Sequence, residues 1–191
     1  MVVKSRPVPG GLDRVPTDPT KRNDVERRLQ ISIIGGASCS ESTAAKAEEV
    51  GFLLAEAGAV LVCGGRTGVM EAACRGAARA GGTSVGILLG YDDDEANPYV
   101  DIRIPTGLGV ARNAIVVASG RAVIAIDGFY GTLSEIALAL KIGRPVVTLG
   151  SWLLPPPPAG RKAGDPLHHA HSPQEAVEMA LRLARQSPGV T

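Results

Sequence analysis

The sequence predicts an α/β fold, a Rossmann-like three-layer α/β/α sandwich with a mainly parallel sheet. Short apolar runs with the length of buried strands alternate along the chain with longer segments of helical periodicity. Three of these runs end in glycine turns, at Gly35, Gly64 and Gly128. Strands that alternate with helices are joined by right-handed crossovers, which gives a parallel sheet with helices on both faces. Because the carboxyl ends of parallel strands meet at one edge, the glycine turns predict a nucleotide-type cleft there.

The individual elements follow from the apolar pattern and from the residues that end it. Helices are predicted where a glycine follows a periodic segment, as Gly58 does after the first helix. The predicted strands cover residues 31–34, 59–63, 84–88, 99–104 and 122–126, with a further strand after Pro145. The predicted helices cover residues 42–57, 68–80, 108–119 and 173–186, with one more between Gly131 and Gly143.

The length of 191 residues suits one domain with a sizeable core. Residues 1–29 are rich in Pro, Lys, Arg and Asp without periodicity, which predicts a flexible N-terminal arm before a single domain over residues 30–191. Residues 152–172 are too rich in proline for regular structure and are predicted to form a loop. Pro173, with Ser172 as its cap, begins the predicted helix over residues 173–186.

Composition and charge exclude several function classes. The net charge of +1 gives no argument for binding nucleic acid or a membrane surface. No apolar run reaches the roughly 18 residues of a membrane span, and the first residues lack the apolar core of a signal peptide. The three cysteines have no metal-ligand spacing. We therefore expect a reduced, cytoplasmic protein with a small-molecule ligand.

The most informative stretch is the central strand-turn-helix unit. A strand buried on both faces, residues 122–126, is followed by a tight turn and then by a helix. The start of a helix offers unpaired backbone N–H groups and positive partial charge, which suit a phosphate. Gly128, Gly131 and Thr132 are therefore the predicted phosphate cradle, although glycines here also serve simply to turn the chain.

The central unit also carries a family resemblance. Residues 131–135, GTLSE, resemble the proline-glycine-glycine-x-glycine-threonine-x-x-glutamate signature of the LOG superfamily, with supporting matches at residues 63–71 and 109–113. That superfamily includes nucleotide phosphoribohydrolases and molybdenum-cofactor carrier proteins, and its members were often mislabelled lysine decarboxylases. The resemblance covers roughly residues 31–150, and its continuation to Val147 is similar to the carrier-like branch. Asp127 stands at the proline position and Phe129 at the second glycine, which departs from the hydrolase signature.

The resemblance gives roles to Arg112 and Glu135. Glu135 matches the glutamate that acts at the sugar in phosphoribohydrolases, whereas the residues alone also fit a capping box between Thr132 and Glu135. Arg112 matches the superfamily arginine, and a guanidinium at this edge grips a phosphate bidentately unless it is a solvated surface group. The neighbouring Asn113 is a further candidate. We expect catalytic roles for Arg112 and Glu135 only if the protein is an enzyme.

Further candidate ligand contacts lie in the first two turns and at the aromatic pair of the central turn. A serine here donates to a ligand or caps a helix, and a loop arginine binds an anion or is solvated. Phe129 and Tyr130 either stack on a flat heterocycle or form a hydrophobic plug. The candidates in the first two turns are Gly36, Ser38, Gly65, Arg66, Thr67 and Gly68.

No metal site is predicted. His168, His169 and His171 resemble metal ligands, but they lie in the predicted loop without a Cys or carboxylate cluster at ligand spacing. We expect no required cofactor either.

Two hypotheses follow for the function. The first is a cytoplasmic binding or carrier protein for a phosphorylated heterocycle, molybdenum cofactor or nucleotide, in the cleft at the carboxyl edge of the sheet. The alternative is a nucleoside 5'-monophosphate phosphoribohydrolase that releases free base and ribose 5-phosphate. The altered turn at Asp127 and Phe129 favours binding, because an aspartate beside the cradle repels a second anion. A nucleotide sensor is a third class, and no lysine is placed for a decarboxylase Schiff base. The resemblance also implies a homodimer.

Overall fold

The computed structural model describes residues 28–155 and 167–186. They form a seven-stranded sheet, five α-helices and one 3₁₀ turn. The strands are β1 (Gln30–Gly35), β2 (Val60–Cys63), β3 (Thr83–Leu88), β4 (Ile102–Pro105), β5 (Ala122–Ile126), β6 (Val146–Leu149) and β7 (Leu167–Ala170). The helices are α1 (Glu41–Glu56), α2 (Val69–Arg79), α3 (Asn113–Ser119), α4 (Tyr130–Lys141) and α5 (Pro173–Gln186), and the 3₁₀ turn is Gly109–Arg112.

All neighbouring strands of the sheet pair in parallel, in the order β4-β3-β2-β1-β5-β6-β7. The chain moves outward from β1 to β4 and then crosses to β5 on the other side of β1. This reversal leaves a crevice outside the carboxyl ends of β1 and β5, which is where ligands bind in open α/β sheets. The predicted Rossmann-like fold with a parallel sheet is confirmed.

Helices cover both faces of the sheet because its central strands are apolar on both faces. Ile124 and Ile126 of β5 pack with α1, α2 and α5, whereas Val123 and Ala125 pack with α3 and α4. All five residues of β5 are buried. This alternation of period two places α4 against one face and aims its first turn at the carboxyl edge. Among the described residues, no helix combines the length and apolar composition that a bilayer crossing needs.

The prediction of a loop over residues 152–172 is wrong for residues 167–170. Leu167–Ala170 forms β7, which pairs with β6, and the side chains of Leu167 and Ala170 are buried. Two of its four residues are histidines, so the local pattern does not indicate a strand, and the pairing with β6 is a tertiary effect. Residues 156–166 lie outside the described residues.

At the other end of the chain, residues 1–27 of the predicted arm lie outside the described residues. Arg28 and Leu29, which the sequence assigned to the arm, contact the domain. The Arg28 guanidinium donates to the Gly58 carbonyl at 3.1 Å, and the Leu29 carbonyl accepts from the Val60 amide at 2.7 Å.

The predicted helix over residues 108–119 is interrupted. Gly107 and Gly109 have φ of +65° and +54°, which an α-helix cannot contain, so a 3₁₀ turn precedes the shorter α3. Arg112 therefore lies at the junction of the two, not in the second turn of a helix. The junction faces the crevice.

Candidate functional site

A cavity of about 250 Å³ opens at the carboxyl edge of the sheet, beside β1 and the start of α4. Its walls come from all three glycine turns and from the 3₁₀ turn. The predicted site residues that line it are Gly36, Arg66, Arg112, Asn113, Phe129, Gly131, Thr132 and Glu135. Its apolar walls, which the sequence analysis missed, are Ile33, Ile34, Met70, Leu89 and Val110. Ile33, Ile34 and Leu89 carried only the signal of core periodicity, whereas Met70 and Val110 lie within the stretches that resemble the LOG superfamily, at residues 63–71 and 109–113.

Arg112 is buried in the wall of this cavity, with 5% of its surface exposed. Its Nη1 donates to Asn113 Oδ1 at 2.8 Å and its Nη2 to the Gly64 carbonyl at 3.4 Å. A Cβ added at Gly64 would lie 2.4 Å from Nη2, so glycine at this position makes room for the guanidinium. The Nε is buried and has no hydrogen-bond partner among the described residues. The structure thus excludes a solvated surface arginine.

Glu135 faces Arg112 across the cavity wall without a hydrogen bond. Its Oε1 lies 3.9 Å from Arg112 Nη1, and the residue is 7% exposed. Burial raises the pKa of Glu135 to about 7, against the smaller opposing effect of the Arg112 charge. Burial likewise lowers the pKa of Arg112. Both groups have lost solvent without gaining a close ion pair, so a polar ligand between them would supply bonds that each lacks.

The predicted capping box is wrong. α4 begins at Tyr130 with Phe129 as its N-cap, and no side chain of the described residues caps that end. Thr132 is therefore inside the first turn, and Glu135 lies beyond the reach of a cap. Both side chains are buried, and both line the cavity.

Gly128 supports the cradle without lining the cavity. It has φ of +95°, and a Cβ added there would lie 2.1 Å from the Thr132 hydroxyl. Glycine thus lets the turn close on Thr132. A Cβ added at Gly131 would instead meet nothing within 4 Å, so open space remains beside the first turn of α4.

Asp127, at the position where the superfamily signature has proline, has the left-handed φ of +50°, which is uncommon outside glycine. Its carboxylate accepts from the Thr43 hydroxyl of α1 at 3.3 Å. The side chain is not among the residues that line the cavity. The predicted repulsion of an anion by this carboxylate is therefore not supported, because the carboxylate is held at α1, and the effect of Asp127 on the turn lies in its backbone.

Several predicted contacts fasten the turns to one another. The Thr67 hydroxyl donates to the Ala37 carbonyl at 2.8 Å, and Gly68, with φ of +69°, packs against the backbone of the first turn. The Gly65 amide donates to Cys63 Sγ at 3.3 Å. These three residues and the exposed Ser38 do not line the cavity, whereas the exposed Arg66 does.

The aromatic pair of the central turn is exposed. Phe129 and Tyr130 are 74% and 78% accessible, which excludes a hydrophobic plug. Phe129 lines the cavity. The Tyr130 ring lies with its centroid 5.9 Å from that of Trp152, a residue that the sequence analysis did not select. A tryptophan directly after a strand at the carboxyl edge is the signal that would have found it.

His168 and His169 lie in β7, the strand that pairs with β6, and His171 follows it. The Thr148 hydroxyl and His169 Nδ1 are 2.6 Å apart, and the His171 amide donates to Glu175 at 2.8 Å. Among the described residues, no group of three His, Cys, Asp or Glu side chains is placed to hold a metal ion.

A parallel sheet with a cavity at its switch point, beside a helix N-terminus and a buried arginine, defines the chain as a Rossmann-like protein with a cleft at the carboxyl edge of its sheet. The model of the SLOG cluster4 family matches residues 28–178. The chain therefore belongs to the SLOG cluster4 family.

Three similar proteins show which members of the family the chain resembles. An uncharacterized protein of Archaeoglobus fulgidus is 50% identical over 121 residues, 63% of this chain and 80% of that protein. The molybdenum cofactor binding protein of the phototrophic bacterium Rippkaea orientalis is 35% identical with a TM-score of 0.74, over 83% of this chain and 98% of that one. The molybdenum cofactor carrier protein of Chlamydomonas reinhardtii is 36% identical with a TM-score of 0.70, over 83% and 99%. The predicted resemblance to the carrier-like branch is confirmed.

The first prediction concerns Glu135 and pH. The pKa of Glu135 is raised in the folded protein from 4.5 to about 7, so the unfolded chain loses this proton first as pH rises. The free energy of unfolding should fall across this window and should fall less in Glu135→Gln. Between pH 5 and 8, urea denaturation should separate the two pH profiles by roughly 2 kcal/mol. The exposed Glu49→Gln on α1 is the control, and parallel profiles for wild type and Glu135→Gln would refute the assignment.

Proposed function

We propose that this protein binds and carries a phosphorylated heterocycle, molybdenum cofactor or a nucleotide, in the cavity at the carboxyl edge of β1 and β5. The main support is the position of Arg112, which is buried at the wall of that cavity. Its Nε has no hydrogen-bond partner among the described residues. A buried guanidinium whose counter-charge, Glu135, is 3.9 Å away is costly, and an anionic ligand in the cavity would offset part of that cost. The similar protein of Rippkaea orientalis is named as a molybdenum cofactor binding protein and that of Chlamydomonas reinhardtii as a molybdenum cofactor carrier, which supports the same assignment.

The phosphate would bind at the start of α4. The first helical bond of α4 runs from the Leu133 amide to the Phe129 carbonyl at 3.0 Å, so the amides of residues 130–132 precede the bonded ladder. The Thr132 hydroxyl adds a donor, and the open space at Gly131 admits the anion. Arg112 supplies the counter-charge from the opposite wall.

The heterocycle would extend from the cavity towards solvent. A volume of about 250 Å³ is below the roughly 300–1,000 Å³ that drug-sized ligands occupy. A pterin or a nucleoside that carries its phosphate at the base of the cavity therefore reaches the mouth, where Phe129 is exposed.

The second prediction tests Arg112 as the anion-binding residue. Arg112→Gln should weaken the binding of AMP or of molybdenum cofactor by about 10- to 100-fold, the scale of hydrogen bonds to a charged group. Arg112→Lys should fall in between, because it keeps the charge but loses the planar donor set. Isothermal titration calorimetry gives the affinity, and thermal melting verifies folding. Exposed Arg182→Gln is the control, and equal affinities for Arg112→Gln and wild type would contradict the proposal.

One observation favours phosphoribohydrolase activity as the second candidate. A buried carboxyl with a pKa of about 7, beside an arginine, is suited to act on a sugar during glycosidic cleavage. Water would add to C1' of a nucleoside monophosphate as the bond to the base breaks, and the base would leave with a proton. Arg112 would hold the phosphate while Glu135 stabilises the positive charge on the sugar.

The third prediction separates the two candidates. Purified protein incubated with AMP and other nucleoside monophosphates should release no free base on chromatography, since Phe129 stands at a glycine position of the hydrolase signature and lines the cavity. Mass spectrometry of the denatured protein should detect a retained ligand. Base release by wild type that disappears in Glu135→Gln would instead establish the hydrolase.

We also infer that the protein forms a homodimer. Apolar side chains at the start of the 3₁₀ turn, within it and in α3 are exposed to solvent: Leu108 by 53%, Val110 by 80% and Ile115 by 38%. Exposed apolar side chains in one short segment of the chain favour burial against a partner. The family resemblance implies that this partner is a second copy of the chain.

The fourth prediction concerns this surface. Ile115→Arg should convert a dimer into a monomer, because an arginine would be desolvated in the interface. Light scattering after size-exclusion chromatography gives the mass. Ala45→Arg, exposed on α1 at the other face of the sheet, should leave the dimer intact. A wild-type mass of one chain would refute the dimer.

A further inference from the structure

We propose that Phe129, Tyr130 and Trp152 form a ring-binding subsite at the mouth of the cavity, which takes the flat fused heterocycle of the ligand. In this subsite Trp152 is the positioning residue that holds the other two. The inference rests on the proposed function, since it assigns the part of the ligand that the phosphate cradle leaves outside.

The aromatic side chains of this protein are concentrated at one place. The chain has three tyrosines, two phenylalanines and one tryptophan, and three of these six lie here. Phe129 and Tyr130 are mostly exposed, although large aromatic side chains stabilise a fold chiefly by burial. Their position therefore contributes little to the core and leaves two ring faces available.

Trp152 fixes the Tyr130 ring in place. The two ring centroids are 5.9 Å apart with 35° between the ring planes, within the range of favourable aromatic pairs. Trp152 is itself half-buried and packs against the core between the sheet and α4. The exposed tyrosine is thus anchored to the core through one tryptophan.

The same segment also holds the turn that carries Phe129. The indole Nε1 of Trp152 donates to the Phe129 carbonyl at 3.3 Å, and the preceding Ser151 hydroxyl donates to the Asp127 carbonyl at 2.6 Å. Two consecutive residues after β6 therefore bind both ends of the turn from Asp127 to Phe129. A turn with a left-handed aspartate is held in one conformation, so its aromatic rings are pre-positioned.

The chemistry of the neighbouring cradle indicates which part of the ligand meets these rings. Phe129 lines the cavity together with Gly131 and Thr132, only two and three positions further along the chain. A phosphate on the first turn of α4 leaves the rest of the ligand beside the Phe129 ring. Flat heterocycles such as pterins and purines stack on aromatic faces, whereas a sugar phosphate without a base has no such contact.

The test compares ligands with and without a flat ring. AMP and ribose 5-phosphate share the phosphate and the sugar and differ in the adenine, whereas neopterin monophosphate bears its phosphate on a hydroxylated three-carbon chain attached to a pterin. We expect wild type to bind at least one ring-bearing probe more tightly than ribose 5-phosphate. Phe129→Ala and Trp152→Ala should each weaken that binding by about tenfold, the scale of one stacking contact, and should leave ribose 5-phosphate binding within about twofold. Trp152→Phe, which keeps a ring but loses the indole N–H, should retain part of the affinity.

The outcomes separate this inference from the proposed function. If wild type binds none of the three probes, the proposed function fails and the subsite fails with it. If wild type binds a ring-bearing probe and both alanine variants bind it equally well, the subsite alone is refuted. A parallel loss for ring-bearing and ring-free probes also refutes it, since the aromatic residues would then only maintain the turn.

Tryptophan fluorescence is a second measurement, and it reports on contact between the ligand and the subsite. Trp152 is the only tryptophan of the chain, so its fluorescence reports on this place alone. Saturation with the ring-bearing probe should change the emission, and saturation with ribose 5-phosphate should not. Unchanged emission with the ring-bearing probe would overturn the subsite.

Discussion

The site depends on the burial of one guanidinium. Arg112 is held by the Gly64 carbonyl and by Asn113, and its buried Nε has no hydrogen-bond partner among the described residues. Desolvation of a charged group is costly, and Glu135 at 3.9 Å compensates it only partly. Burial of Glu135 itself raises its pKa to about 7, because the desolvation of the carboxylate outweighs the attraction of the arginine. The fold thus keeps two polar groups in a state that an anionic ligand would relieve.

The arrangement of the strands brings that arginine to the first turn of α4. β1 and β5 are adjacent because the strand order reverses between them, and the first turn of α4 follows β5 directly. Glycines then allow close approach where side chains would collide. A Cβ at Gly64 would strike Arg112, and a Cβ at Gly128 would strike Thr132. The cavity therefore results from topology and from two missing side chains together.

The altered turn distinguishes this chain from the hydrolase signature of its superfamily. Asp127 adopts a left-handed conformation, and its carbonyl and that of Phe129 accept hydrogen bonds from Ser151 and Trp152. Phe129 replaces a glycine at a position where a small residue would leave the mouth of the cavity open. A turn that carries an exposed aromatic ring suits retention of a flat ligand. This is the physical reason to favour a carrier over an enzyme.

By itself, the sequence determined the fold class, most of the elements and the glycine turns at the carboxyl edge, because hydrophobic periodicity and glycine are local signals. It also identified Arg112, Thr132 and Glu135 as candidates. Local signals failed where tertiary contacts decided. β7 forms through its pairing with β6, and the start of α4 at Tyr130 makes the apparent capping box of Thr132 and Glu135 a pair of cavity residues. Only the tertiary structure placed Trp152 against Tyr130 and Glu135 against Arg112. The members of these pairs are 22 and 23 residues apart in the chain, so they meet only through packing.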